Sequence, residues 1–501
     1  MASSKDLSDP VVVSDVLEEG GVKPHVDVHE EPSIDPEEER RVVRKIDLRV
    51  LPLLFFMYLF NALDRNNLGA AKTDGIDVDL GFTKYEYNIL VSVFYVPYCA
   101  LTVPANMLTR KLSARWTLPC YLLFWGTTVI LSPACKNFAG LAALRILLGM
   151  AEAGFGVGGV FYLTQWYKRD ELAKRIALFY GSQTFSGAFS GLIAFGLFQI
   201  DGSLHGWQYL YLVEGALTIM IGLIALIFLP HPPHEESSFL TNREREICRL
   251  RCLRDASQAV GSKFQIRDFF APLRDWKLWA WAFIAFCFGV TNASVGNFTP
   301  LIVAKLGYSA VKTNLYTVAP YMVSAVLLFS TAISSDYFRE RTYHLLSAFT
   351  LSCIGFIIIA SIDVESHIGV AYFAVFLIVG GCFTPSIVFH SWHQNNVLSE
   401  DRRAFNIAFI TFFGNAAGLV SSNVFTPDSA PKYIPALVTN YSFLAAAIIV
   451  TILMRLWMQR QNALRNKAQG VNWTSADVPT HLLLAGASEN PHENPNFRFV
   501  L

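Results

Sequence analysis

Residues 48–68 read LRVLPLLFFMYLFNALDRNNL. A bilayer core about 30 Å thick takes roughly 20 mostly apolar helical residues to cross, and this stretch is long enough. From Val50 to Phe60 it carries no charge, yet it ends on Asn61, Asp64 and Arg65. A charge at membrane depth costs roughly 3 kcal/mol or more and usually marks function. One segment therefore carries two messages: the chain enters a membrane, and it places ionisable groups inside it.

Working outward, the same reading finds twelve segments, at about 48–68, 86–108, 116–135, 139–163, 175–199, 207–229, 277–304, 314–335, 343–362, 368–391, 404–426 and 434–457. The chain is expected to be an all-α membrane protein with twelve transmembrane helices. Its parts are a disordered tail (1–45), a six-helix bundle (46–230), a connecting loop (231–275), a second six-helix bundle (276–457) and a polar tail (458–501). Alternate connections, with the stretches 40–49 and 455–467 next to the first and last spans, carry 28 Lys and Arg, whereas the opposite loops carry six. The positive-inside rule then places both termini and the central loop in the cytoplasm. No short apolar core follows Met1, so the first span is expected to serve as the targeting signal.

Composition agrees with this reading. Of 501 residues, 53% are hydrophobic and 16% charged, against about 25% charged in soluble domains. That excludes a soluble enzyme, a disordered scaffold and a nucleic-acid binder. Lys+Arg and Asp+Glu balance at 40 each. Six of the eight cysteines fall in apolar runs and read as small hydrophobes rather than as a disulfide framework. In the central loop, Thr241 followed by Glu244 forms a capping box. A helix is expected at about 241–255, in what is otherwise a solvated connector.

Inside the spans, few residues can ionise. Arg145 and Glu152 are seven apart, so they share one helical face with Gly149 between them. Asp64 and Arg65 are adjacent and must diverge. Two pairings are open: Arg65 with Glu152, or Asp64 with Arg145. They could be structural ion pairs. Alternatively, arginine can grip a carboxylate through two parallel hydrogen bonds, and a carboxyl in a low-dielectric setting can load and release a proton near neutral pH. Two cations with two titratable acids suit the coupling of an organic anion to protons. Glu214 lies near the outer end of the sixth span. His390 and His393 read as polar residues closing the tenth. Gly154, Gly156 and Gly159 spell GxGxxG, but inside an apolar span rather than after a strand, so no nucleotide site is read from them. The sequons at Asn292 and Asn297 lie within a span. No metal cluster or nucleophile constellation is seen, so neither an enzyme nor a cofactor is expected.

Four pieces of the chain resemble a known family. They are Leu63-Asp64-Arg65-Asn66-Asn67-Leu68-Gly69-Ala70-Ala71-Lys72; Arg145 through Glu152 to Gly154; Trp166-Tyr167-Lys168-Arg169 with Arg175-Ile176-Ala177; and Gly414-Asn415 with Gly418, Ser422-Asn423, Asp428, Pro431 and Tyr433. Together they resemble the major facilitator superfamily, and within it the anion:cation symporters of the fungal allantoate and nicotinate permease-like branch. The resemblance implies two pseudo-symmetric six-helix bundles with a site between them at mid-membrane. It also implies alternating access and, commonly, proton symport of small carboxylates, a class of small organic anion; a monomer in the plasma membrane is expected. By position, Asp64 and Glu152 match proton-coupling acids. Arg65 and Arg145 match a substrate-binding basic pair, and Gln183 and Asn415 match polar residues facing the cavity. Two departures stand out. The loop Asn106–Lys111 lacks the superfamily's Asp, which its counterpart keeps as Asp336. Gly156-Val157-Gly158-Gly159 stands where a proline is usual, so helix geometry there is expected to differ. An exporter on the same fold and a non-transporting receptor remain alternatives, and the substrate is left open among small carboxylates and short peptides.

Overall fold

The computed structural model describes residues 35–233, 239–254, 271–304, 306–364, 366–397, 400–429, 432–475, 477–478 and 494–501. The expected disorder of the first residues, most of the connector after 254 and the middle of the C-terminal tail lie outside the described residues.

The first helix, α1 (Pro36–Thr73), begins earlier than expected. Asp35 accepts a hydrogen bond from the Glu37 N–H (3.1 Å), Pro36 fills the first turn, and Glu37, Glu38 and Glu39 follow. These are ordinary helix-start signals. Residues 36–45, read from sequence as tail, are therefore a helical extension of the first span. Next come α2 (Glu86–Leu112), α3 (Ala114–Leu131), α4 (Phe138–Glu152), α5 (Phe155–Thr164), α6 (Arg169–Leu197) and α7 (Gly206–Phe228). After α8 (Asn242–Arg254) follow α9 (Trp276–Ala304), α10 (Ala310–Phe338), α11 (Thr342–Ser361), α12 (Ile368–Asn395), α13 (Glu400–Val424) and α14 (Ile434–Gln469). The pair α4 and α5 makes one span, broken at Ala153-Gly154. A Cβ on Gly154 would lie 2.8 Å from the side chains of Ala105 and Tyr121, so only glycine fits.

Eleven spans are long and apolar enough to cross a bilayer by composition alone. The twelfth, α6, carries Ser182, Gln183, Thr184, Ser186 and Ser190, which dilute its hydropathy. Within the first half, α1 packs on α6 and α7, α2 on α4, and α3 on α4 and α7. Within the second, α9 packs on α13 and α14, α10 on α12, and α11 on α12 and α14. Each pairing has its counterpart in the other half. The seam repeats the pattern: α1 meets α9, while α2–α13 mirrors α6–α10.

The start of α1 and the end of α14 lie at one end of the bundle, here the tail end; the opposite end is the far end. The far end is closed between the halves. A Cβ on Gly69 would sit 2.5 Å from the Asn297 carbonyl oxygen, and one on Gly191 2.6 Å from that of Asn314. Asn314 donates to Thr73 Oγ1 (3.0 Å), and Asn88 donates to the carbonyls of Ser422 (2.6 Å) and Phe425 (2.9 Å). Lys84 and Tyr85 both reach Asp428.

At the tail end α8 forms with its capping box in place: Thr241 N–H to Glu244 (2.8 Å) and Glu244 N–H to Thr241 Oγ1 (3.2 Å). It is docked rather than solvated. The fully buried Arg251 side chain donates to Glu39 on α1 (2.8 Å) and Glu171 on α6 (2.6 Å). Burial opposes the Glu39 charge, but the hydrogen bonds and charges of Lys168 and Arg251 outweigh it and hold the carboxyl below its ordinary range. The tail after 457 is also more ordered than its polarity suggested: α14 continues to Gln469, and residues 494–501 fold back onto the second half.

Candidate functional site

A cavity of about 120 Å³ lies on the seam between the halves. Its polar lining comes from six helices: Arg65 (α1), Tyr98 (α2), Gln183 (α6), Asn292 (α9), His390 (α12) and Asn415 (α13). Apolar helices leave such a space because small residues recur along α9. Ala285, Gly289, Asn292, Ala293 and Gly296 follow the 3–4 spacing of one helical face, and all line it.

Arg65 is the centre of the geometry. Its Nε and one terminal nitrogen donate to the same Glu152 oxygen, at 3.1 and 2.9 Å. Its other terminal nitrogen reaches Asn415 Oδ1 at 3.4 Å, across the seam. The guanidinium lies 4.9 Å from the Tyr98 ring centroid and 5.3 Å from that of Phe94, close enough for cation–π attraction. Its side chain keeps 15% exposure while Glu152 has none. The cation faces the cavity and the acid stands behind it. Gln183 makes a second cross-seam contact, donating to Asn292 Oδ1 at 3.3 Å.

Asp64 and Arg145 are placed elsewhere. Asp64 is fully buried toward α3 and α7, accepting from Trp125 Nε1 (3.1 Å) and Thr218 Oγ1 (2.6 Å). Arg145 donates to the Arg65 carbonyl (3.2 Å), Asn67 Oδ1 (3.0 Å) and the Tyr211 hydroxyl (3.2 Å). Neither lines the cavity, and they do not pair with each other. Of the two pairings open from sequence, Arg65–Glu152 is the one formed. The buried Glu214 shares the Asp64–Arg145 cluster.

Sequence reasoning missed the aromatic wall. Tyr58, Tyr95, Tyr98 and Tyr180 line the cavity, and Tyr180 stacks on His390 across the seam (centroids 5.2 Å, interplanar angle 16°). Spacing held a signal for part of it. Tyr58 stands seven residues before Arg65 and Tyr95 three before Tyr98, each pair on one face. His390, read as closing its span, faces the cavity, and its Nδ1 lies 3.1 Å from His393 Nε2.

The family model of the Major Facilitator Superfamily matches residues 54–422. The chain belongs to that superfamily. Among its curated relatives are several fungal transporters. It is 45% identical over 456 residues to MFS-type transporter efuF of Hormonema carpetanum, covering 91% of this chain and 92% of that one. It is 42% identical to Major facilitator-type transporter hxnP of Emericella nidulans (93% and 94%). To the high-affinity nicotinic acid transporter of Saccharomyces cerevisiae it is 29% identical, covering 85% and 79%. These relatives agree with a place in a fungal permease-like branch. Among solved structures, an inward-facing, unoccupied bacterial homolog of the human lysosomal transporter Spinster matches with a TM-score of 0.58 at 14% identity, covering 84% of this chain and 96% of that one. This superfamily member is thus an integral, multi-pass membrane transporter.

Proposed function

We propose that this transporter moves a small organic anion together with protons by alternating access, with the tail end in the cytoplasm and the far end outside the plasma membrane. The observation that carries this reading is Arg65: a cavity-facing guanidinium, held by a buried acid of its own half and touching an amide of the other. In the empty site Arg65 and Glu152 cancel each other's charge. A substrate carboxylate needs the same guanidinium, and when Glu152 takes a proton it yields its place. Substrate alone would leave one uncompensated negative charge, and a proton alone one uncompensated positive charge. Each costs several kcal/mol in a desolvated site. A penalty of about 3 kcal/mol suppresses either leak by more than about a hundredfold, so anion and proton travel together.

Asp64 is the second proton-coupling candidate, next to Arg65 in the chain but turned toward α3 and α7 rather than the cavity. Arg145 grips the Arg65 carbonyl and so sets where α1 presents its cation. Gln183 and Asn415 report occupancy to the opposite half through their cross-seam contacts. The cavity is well below the roughly 300–1,000 Å³ of drug-sized sites, which suits a small acid, as does the substrate named for the yeast relative.

The test uses purified protein in liposomes and a panel of radiolabelled small carboxylates with their uncharged amides. At least one acid should accumulate under an inward proton gradient and lose accumulation with a protonophore, while its amide does not accumulate. Uptake of the acid that ignores the proton gradient would overturn symport.

A further inference from the structure

At the tail end, residues 494–501 (NPNFRFVL) make a turn at Asn494–Phe497, closed by the Phe497 N–H on the Asn494 carbonyl (3.2 Å), and then cross three helices of the second half. The side chain of Asn462 on α14 takes the Phe499 N–H (2.8 Å) and donates to the Phe499 carbonyl (2.9 Å). Asn396, just past α12, does the same for Val500: it accepts from its N–H (2.9 Å) and donates to its carbonyl (3.0 Å). Trp392 of α12 adds a bond to the Val500 carbonyl (3.0 Å), and the Arg341 N–H at the start of α11 donates to Leu501 O (2.6 Å). Two asparagines thus satisfy the backbone as a neighbouring β-strand would, without reading side chains.

Side chains supply the selectivity. Phe497 and Phe499 are 3% and 1% exposed, and Phe499 lies 5.3 Å from the Trp457 ring. Between them Arg498, 1% exposed, donates to Asn466 (2.7 Å) and Gln469 (2.6 Å). The groove reads aromatic, Arg, aromatic at successive positions. Nothing in a merely solvated tail requires buried donors and acceptors matched in this way.

The groove also leads to the cavity. Trp392 and Asn396 flank the last turn of α12, one turn from His390, which lines the cavity and stacks on Tyr180 of the first half. We propose that the inner ends of α11, α12 and α14 form a peptide-binding groove, that residues 494–501 are its tethered ligand, and that their seating holds the end of α12 against the seam. Release of the strap then frees the His390–Tyr180 contact and opens the cavity toward the tail end. This inference goes beyond the transport reading and does not depend on the substrate.

The test places a cysteine at Ser386, which lines the cavity. Its labelling by an impermeant thiol reagent is measured in inside-out vesicles, corrected with the same proteins lacking Ser386→Cys. In the full chain, Asn396→Ala with Asn462→Ala should raise the labelling rate roughly tenfold, the effect of removing a few hydrogen bonds' worth of bias from a two-state equilibrium. An unchanged rate overturns the coupling to the cavity. The ligand claim is read separately, with a chain ending at residue 493 and a fluorescent NPNFRFVL peptide. That chain should bind the peptide saturably and return to the slow labelling rate. The full chain should bind it roughly a hundredfold more weakly, because its own strap competes at millimolar effective concentration. A folded truncated chain that ignores the peptide, or equal binding by both chains, overturns the groove. Should the truncated chain fail to fold, the full-length protein with Phe497→Ser and Phe499→Ser, whose strap is weakened while the groove keeps Asn396, Asn462 and Trp392, takes its place: stronger binding of the NPNFRFVL peptide than of a copy with both phenylalanines replaced by serine supports the groove, and equal binding overturns it.

Discussion

At the scale of single residues, two arginines that look alike in sequence have different surroundings. Arg65 faces the cavity with Glu152 behind it, whereas Arg145 is enclosed by Asn67, Tyr211 and a backbone carbonyl. Adjacent side chains on a helix diverge, so Asp64 could not accompany Arg65 toward the seam. That much was legible from the spacing. Which of the two diverging directions leads to the cavity was not, because it depends on where α2, α9 and α13 come to lie. The tyrosine wall escaped notice for a similar reason: in an apolar segment a tyrosine reads as core until a cavity appears beside its ring. The two arginines are separable by experiment. Arg65→Ala should erase the preference for a transported acid over its amide. Arg145→Ala should remove three hydrogen bonds from a charged donor, lower stability by about 3 kcal/mol or more, and impair acid and amide alike. Competition binding and thermal melting read the two effects, and loss of acid preference in the Arg145 variant alone would reverse the assignment.

At the scale of elements, a reading for mostly apolar stretches of bilayer length located all twelve segments, α6 included although its Ser, Thr and Gln residues leave it outside the eleven that pass on hydropathy. It could not find what lies outside the bilayer. The first turns of α1 and the last turns of α14 are charged helix, which has the composition of a tail, and the docking of residues 494–501 rests on asparagines with no periodic pattern. The break between α4 and α5 was foreshadowed by the missing proline, though its position was set by the crowding of Ala105 and Tyr121 around Gly154. Glycine also sets the far-end closure. Between α6 and α10, a Cβ on Gly191 would press on the Asn314 carbonyl and on Thr317 Oγ1 at 2.7 Å. Gly191→Ala should therefore destabilise the far-end-closed state by about 1–3 kcal/mol. Cysteines replacing Thr73 and Asn314, whose side chains are hydrogen-bonded at 3.0 Å, report that state by disulfide formation. Crosslinking should be fast in the parent and several-fold slower with Gly191→Ala. An unchanged rate would mean that another contact sets the closure.

At the scale of the whole molecule, the packing pairs of one half recur in the other, and the seam obeys the same exchange. Such a seam can be closed at one end or the other with similar contacts, which is the structural requirement for alternating access. The far end is held here by main-chain crowding at two glycines and by the α2–α13 hydrogen bonds, while the central cavity is bounded toward the tails by Tyr180 and His390. The Arg65–Asn415 and Gln183–Asn292 contacts join the halves at the cavity itself. In the proposed mechanism, an anion that draws Arg65 away from Glu152 also alters the Arg65–Asn415 contact across the seam. The most direct test compares two modes of one protein in liposomes: exchange of preloaded labelled substrate, and uphill accumulation driven by a proton gradient. With Glu152→Gln, exchange should persist while accumulation is lost; uphill accumulation equal to the parent's would contradict the claim that Glu152 couples the proton to the anion.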